Sequence, residues 1–230
     1  MKNLIVLTGA GISAESGVKT FRDHDGLWNN YRVEDVATYD AWLNNPALVQ
    51  DFYNHRRVEL ESVQPNRAHI ILHELEKYFN VKIITQNVDD LHERAGSTSI
   101  LHLHGELTKV RSVDDQYEVL DIGYKKIKMG DKSPKGGQLR PHIVWFGEAV
   151  PEIENAARIM QTADLVLVVG TSLQVYPAAG LIHYSPARIP FFYVDPRAEQ
   201  ISGVSNLTIV QDKAVGGMEK LKAILIDKYA

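Results

Sequence analysis

No cysteine occurs anywhere in this chain of 230 residues. Its absence excludes disulfides, thiolate nucleophiles and cysteine-held zinc, and leaves His, Asp and Glu as the strong metal ligands. An excess of positive charge is also lacking. With a formal net charge of -4 and a pI near 6.1, the chain has no basic field to gather nucleic acid, so a soluble partner or small ligand is the better expectation. The longest apolar run, Leu165 to Val169, falls far short of the ~20 residues that a membrane span needs. Met1-Lys2-Asn3 lacks the flanks of a signal peptide, and the chain reads as cytoplasmic with no membrane partner. Repeats and low-complexity tracts are missing as well.

What is present is the alternation of two patterns. Short β-branched runs at Leu4 to Leu7, Val81 to Ile84, Ile143 to Phe146, Leu165 to Val169, Phe191 to Val194 and Leu207 to Val210 have the character of buried strands. Between them lie segments of helical period, such as Ala68, Ile71, Leu72, Leu75 and Phe79, or Ile153, Ala156, Ala157 and Met160. Continuous apolar strands separated by amphipathic helices predict an α/β fold, a Rossmann-like doubly wound parallel sheet covered on both faces. Two segments break the pattern and read as insertions forming a smaller module. Residues 31–64 are helical and aromatic-rich, while residues 109–139 are polar, which leaves 1–30, 65–108 and 140–230 for the discontinuous sheet domain. A ligand crevice is expected between module and sheet, at the carboxyl ends of the strands.

The first strand runs into Thr8-Gly9-Ala10-Gly11-Ile12-Ser13-Ala14, a G-x-G-x-x-A turn of the kind that cradles phosphate by close backbone approach and a helix N-terminus. About 20 residues on, where an ordinary dinucleotide site places an acidic residue, stand Asn29-Asn30-Tyr31, which disfavours a dehydrogenase. A second cluster, Thr85-Gln86-Asn87-Val88-Asp89-Asp90-Leu91-His92, sets amides and carboxylates at a strand end. It suits either a carboxamide-reading pocket or a helix cap. In Leu101-His102-Leu103-His104-Gly105 a strand would place both imidazoles on one face. Two structural histidines, a metal pair, or one general base are open readings, and the metal reading lacks further ligands at a recognisable spacing.

In their order and spelling these clusters resemble the sirtuin family, and the resemblance spans essentially the whole chain. It is carried by Gly9-Ala10-Gly11-Ile12-Ser13-Ala14-Glu15-Ser16-Gly17 with Phe21-Arg22, by Thr85 to His92, by His104-Gly105, by Arg140-Pro141-His142-Ile143-Val144-Trp145-Phe146-Gly147-Glu148, and by Gly170-Thr171-Ser172. The resemblance implies an NAD-dependent lysine deacylase acting on acyl-lysine proteins or peptides. In the family mechanism the acyl oxygen attacks C1′ of the ribose and nicotinamide leaves. The ribose hydroxyls then take the acyl group, giving free lysine and O-acyl-ADP-ribose.

By similarity, His104 is the base and Asn87 its catalytic companion. NAD is held by Gly9 to Ala14, Phe21, Arg22, Gln86, Asn87, Asp89, Gly170, Thr171, Ser172, Asp195 and Ala214. Val144 to Gly147 and Leu173 to Val175 clamp the substrate backbone as an added strand. Two departures are visible. The zinc-binding cysteine pairs of most sirtuins are missing, with Ser112 near the first expected position, so no zinc is expected and the 109–139 module is expected to fold around Val113, Tyr117, Val119, Leu120, Ile122 and Tyr124. Asp195 stands where the family usually has Asn; an acidic side chain can still accept from ribose hydroxyls.

Tyr53 and Arg56, three apart on a helix, join a phenol to a guanidinium fork, a combination suited to a carboxylate. In isolation such a pair is commonplace on a helix surface. In the sirtuin branch that removes succinyl, malonyl and glutaryl groups, a Tyr-x-x-Arg pair occupies the matching place, and Ala37 matches a small residue that leaves room for the acid. Arg57, one position on, turns about 100° away from the acyl tunnel. Rival readings are an ADP-ribosyltransferase and a non-enzymatic NAD-binding module.

Overall fold

Leu4 and Val6 pack with Ile71, Leu72, Met218 and Leu221, whereas Ile5 and Leu7 pack on the opposite side with Met160 and Leu181. Both faces of this strand are therefore apolar, which is the reason its sequence runs without polar interruption. The computed structural model describes residues 1–19, the main chain of 27–28, and 31–230.

In chain order the strands begin with β1 (Asn3–Thr8), then β2 (Leu27–Trp28) and β3 (Tyr31–Arg32), which pair only with each other in an antiparallel ribbon, then β4 (Asn80–Thr85) and β5 (Ile100–His102). Next come β6 (Gly105–Ser112), β7 (Val119–Asp121) and β8 (Leu139–Ile143), and finally β9 (Leu165–Val169), β10 (Phe191–Val194) and β11 (Leu207–Val210). Six strands, in the order β11-β10-β9-β1-β4-β5, form one parallel sheet. From β1 the chain builds outward through β4 and β5, then returns to the other side of β1 as β9. The crossover direction reverses between β1 and β9, so the crevice of the fold opens above their carboxyl ends. The Gly9-to-Ala14 turn and Gly170-Thr171-Ser172 follow these two strands.

Eight α-helices and a 3₁₀ helix at Ala178–Tyr184 accompany the sheet among the described residues, the α-helices being α1 (Gly11–Ala14), α2 (Val33–Val36), α3 (Tyr39–Asn44), α4 (Pro46–Ser62), α5 (Arg67–Leu75), α6 (Leu91–Arg94), α7 (Ile153–Met160) and α8 (Ala214–Tyr229). Asn45 caps α4 by accepting from the Leu48 amide, and Pro46 occupies its first turn, where no amide hydrogen is needed. Two of the expected helical segments are α5 and α7, each burying its apolar stripe, although Phe79 falls beyond the end of α5.

The expected strand at Ile143 to Phe146 is corrected. Only Ile143 is in a strand, and that strand is β8 of a separate antiparallel sheet of order β7-β6-β8. Beyond it the chain turns: the Glu148 carboxylate accepts from the Trp145 amide, the Glu148 amide donates to the Trp145 carbonyl, and Gly147 has φ +90.

The small sheet takes in Gly105–Ser112 and Leu139–Ile143, and so reaches beyond the polar segment on both sides. Its core also differs from expectation. Val110, Ile127 and Leu139 form the buried cluster with Leu120 and Ile122 against it, while Val113, Tyr117 and Val119 are exposed and Tyr124 packs instead against the helical insertion. Such a small core needs outside support. That support comes from α4: the Asn54 amide donates to the Ile127 carbonyl at 2.6 Å and its oxygen accepts from the Ile127 amide at 3.0 Å. The fully buried Arg57 donates to the carbonyls of Leu107 and Lys125 and to Asn54 Oδ1.

Candidate functional site

A cavity of about 330 Å³ lies above β1 and β9, between the sheet and the helical insertion. At its sheet end the loops after β1 and β9 meet at close range. Gly170 has φ +65, and a Cβ on it would collide with the Ile12 amide, while a Cβ on Gly11 would lie 2.7 Å from Gly170 Cα. Glycine at both positions is thus required by the approach of two backbones. The amides of Gly9, Gly11, Ile12 and Ser13 donate to the carbonyls of Val169, Gly170, Gly9 and Ala10. With these four amides engaged, the turn gives a ligand close access to backbone at Gly9, Ala10 and Gly11, which line the cavity with Gly170, Thr171 and Ser172.

Two residues of the turn face inward. Ile12 is buried in the core of the sheet. The Ser13 hydroxyl donates to Asp89 Oδ2 at 3.0 Å and accepts from the Asn87 amide at 3.1 Å, so it organises the polar floor instead of presenting itself to a phosphate. Asp89 is buried, and burial pushes its carboxyl up from the usual range; Asp89 also accepts from the Leu91 amide and the Ser13 hydroxyl, which oppose the rise. Gln86, Asn87 and Asp89 all line the cavity. Beneath them lies a layer that the sequence reading missed. Thr8 and Thr85, in register on adjacent strands, are joined hydroxyl to hydroxyl at 2.8 Å, and Thr8 Oγ1 lies 3.0 Å from His92 Nε2. His69 stands edge-on to His92, its ring 5.0 Å away. Burial holds both rings below the usual histidine value, His69 at about 4.

His104 lines the cavity, and its Nδ1 lies 3.0 Å from the Gln86 carbonyl. A carbonyl has no hydrogen to give, so Nδ1 carries the proton and Nε2 is left as the basic nitrogen. Burial lowers the pKa of His104, with the Gln86 bond opposing it, so the ring is neutral near pH 7. His102 does not share the cavity. The strand ends at His102, and that ring pairs with Glu93 on the other side of the Asn87 segment.

Ala37, Tyr53, Arg56, Val144, Trp145, Phe146, Gly147 and Val175 surround the other end of the cavity. Tyr53 and Arg56 are buried, not surface groups, with exposures of 1% and 7%. Burial raises the pKa of the Tyr53 phenol, which therefore keeps its donor hydrogen, and lowers that of the Arg56 guanidinium. The amides of Val144, Trp145 and Phe146 already donate to the His104 carbonyl, Glu148 Oε2 and the Ala37 carbonyl, so these three residues cannot serve as the donor edge of a substrate strand. All three residues line the cavity. Arg140, bidentate to Glu148 at 2.8 and 3.0 Å, stacks on the Trp145 ring at 3.5 Å, and Arg111 reaches the same carboxylate at 3.2 Å. The R-P-H to G-E spelling carried this ion pair, and only its spatial role was hidden.

Asp195, at the end of β10, lines both the main cavity and an adjoining cleft that includes Ala214, Lys213 and Arg197. Its carboxylate accepts from the Arg197 amide at 2.9 Å. Phe21 and Arg22 lie outside the described residues.

Comparison with known proteins gives a consistent picture. The family model described as Sir2 family matches residues 9–177. A protein of Bacteroides thetaiotaomicron named NAD-dependent protein deacylase is 55% identical over 231 residues, covering 98% of this chain and 99% of its own length. One of the same name from Helicobacter pylori is 51% identical over 227 residues, covering 99% of each chain. Among solved structures, a Sir2 homologue in complex with NAD superposes with a TM-score of 0.87 at 38% identity, covering 100% of this chain and 91% of that one.

Proposed function

The chain belongs to the Sir2 family, and from that premise we propose that it is an NAD-dependent protein-lysine deacylase with a preference for acidic acyl groups such as succinyl, malonyl and glutaryl, accepting acetyl as well. The observation that carries the acyl preference is the burial of Tyr53 and Arg56 in the same cavity as His104. Both side chains line the cavity, so a cationic fork and a phenol border the space that a ligand would enter. A carboxylate at the far end of an acyl chain is complementary to that fork, with the Tyr53 hydroxyl as second donor and Ala37 leaving space.

The residues present fit NAD. The close-packed glycines of the β1 and β9 loops admit a pyrophosphate to the backbone, Asp195 offers acceptors for ribose hydroxyls, and Asn87 with the buried Asp89 offers partners to a carboxamide. When bound, NAD supplies the ribose carbon that the acyl oxygen attacks and the hydroxyls that receive the acyl group. His104 Nε2 is the base for a ribose hydroxyl proton, oriented by the Gln86 carbonyl through Nδ1. Trp145, Val144 and Phe146 keep water from the reacting atoms.

The same reading takes acyl-lysine proteins or peptides as partners, without nucleic acid or membrane, in the cytoplasm. It rests on the acidic net charge, and among the described residues no helix is long and apolar enough to cross a membrane. The deciding experiment offers NAD with acetyl-, malonyl-, succinyl- and glutaryl-lysine peptides and follows products by mass spectrometry. The proposal expects O-acyl-ADP-ribose in all arms and the highest kcat/KM for an acidic acyl group. Equal or higher rates on acetyl-lysine would overturn the preference, and ADP-ribosylated peptide without deacylation would overturn the reaction.

A further inference from the structure

Behind the Asn87 segment, away from the cavity, three metal-ligand side chains converge. Glu93 on α6, His102 at the end of β5 and Glu106 near the start of β6 each place a ligand atom within 4.8 Å of the other two. Among the described residues this is the one group of three such donors so close together. The sequence spacing hides it, because the two carboxylates come from different elements on either side of His102.

The imidazole is set as a ligand before any ion arrives. His102 Nδ1 lies 3.0 Å from the Asn87 carbonyl, so Nδ1 carries the proton and Nε2 points to Glu93 Oε1 at 2.7 Å. With a proton on Nε2 this contact is an ion pair, and a metal ion is a cation that can take the place of that proton between the ring and the carboxylate. An imidazole held through Nδ1–H by a main-chain carbonyl, with Nε2 facing carboxylates, is the arrangement in which metal-bound histidines are oriented. The His102 side chain is only 9% exposed, whereas Glu93 at 39% gives the cluster an opening to solvent.

We propose that Glu93, His102 and Glu106 form a binding site for a divalent transition ion of the zinc type, with water completing the fourth position. One nitrogen and two carboxylate donors suit zinc, whereas calcium and magnesium call for six or more oxygens. Four-coordinate zinc separates its ligand atoms by roughly 3.3 Å, so the exposed Glu93 moves outward by a few tenths of an ångström on loading. Lys109, whose ammonium now sits 2.7 Å from Glu106 Oε2, has a third of its side chain in water and can release that carboxylate. The site is separate from the 109–139 segment and does not rest on the deacylase reading.

The test uses the full chain, stripped with EDTA and dialysed. Zinc chloride is titrated calorimetrically, and cobalt(II) is added as a spectroscopic probe. The site predicts one equivalent bound, an intense visible cobalt band typical of four coordination, and at least a tenfold weaker affinity in Glu93→Gln and in Glu106→Gln, each with unchanged circular dichroism. His102→Gln should remove binding and the band, but the two Glu variants decide the matter if that buried substitution fails to fold. Equal affinity in wild type and both Glu variants, or a cobalt spectrum no different from the free ion, would show an ordinary imidazole–carboxylate pair and overturn the site.

Discussion

His102 and His104, two positions apart, hold successive main-chain carbonyls in the same way: Nδ1 of each lies 3.0 Å from an acceptor, Asn87 O for His102 and Gln86 O for His104. What differs is the surroundings of Nε2. That of His102 meets Glu93, while that of His104 belongs to a residue lining the cavity. Of the two rings, only that of His104 borders the space open to a ligand.

His104→Ala should lower deacylation by roughly 10²- to 10⁴-fold while NAD binding is largely retained, because the ring moves a proton and contributes little to phosphate contact. Nicotinamide release with an acyl-lysine peptide, together with NAD affinity by calorimetry, checks both halves. Near wild-type turnover would remove His104 from the base role.

The acid limb of kcat/KM should lie below the ordinary histidine value of ~6.5, because burial lowers the pKa of His104. Stability should follow a related course. His69, held at about 4 by burial, is neutral in the folded chain over a range where the unfolded chain binds a proton. Its contribution is therefore present above pH ~6.5 and is lost as pH falls toward about 4, by up to ~1.4 kcal/mol per pH unit. His92 acts in the same direction, whereas His102, whose pKa is raised by Glu93 against the effect of burial, acts in the opposite one. Urea denaturation between pH 4 and 7.5 for wild type and His69→Gln would show the slope and its reduction; an unchanged slope in the variant would remove His69 from this account.

Arg56→Met should lower succinyl kcat/KM by roughly 10- to 150-fold, the ~1.5–3 kcal/mol of a hydrogen bond to a charged group, and leave acetyl turnover equal or improved. Tyr53→Phe should show a milder shift in the same direction. Acetyl-lysine is the internal control: equal losses on both substrates would make Arg56 a folding residue, and no change would make the pair inert.

Arg57→Met has a different expected outcome. Arg57 does not line the cavity, so the ratio of succinyl to acetyl activity should stay close to wild type. Its loss removes the guanidinium donor from the buried Leu107 carbonyl and leaves Asn54 Oδ1 with the Ile127 amide alone, at a cost of roughly 1–3 kcal/mol. Thermal unfolding with peptide kinetics below the transition would separate the two effects. An unchanged melting temperature would contradict the role of Arg57 in holding the module.

Arg57 also marks the limit of what could be read without coordinates. Asp51-Phe52-Tyr53-Asn54-His55-Arg56-Arg57 has the polarity of a helix surface, and the carbonyls that Arg57 serves lie 50 and 68 positions away. Nothing local announces them. The β1 and β9 strands and their glycine loops were legible because their signal is local: an unbroken apolar run followed by residues that only a tight turn needs. The run at Val144 to Phe146 was misread because apolar character alone does not separate a buried strand from the lining of a tunnel, and the Glu148 carboxylate that turns this chain also binds Arg140 and Arg111.

The adjacency of Arg56 and Arg57 on α4 has a consequence for grafting. One residue lines the cavity, and its neighbour fastens the small antiparallel sheet. A chimera that imports residues 105–143 from a relative with a differently built module would keep the Tyr53–Arg56 pair but strand the buried guanidinium of Arg57. Transplanting α4 alone would carry Arg56 together with an Arg57 that has no matching carbonyls. Functional exchange between such proteins should therefore succeed when Pro46–Ser62 travels with the module as a single unit.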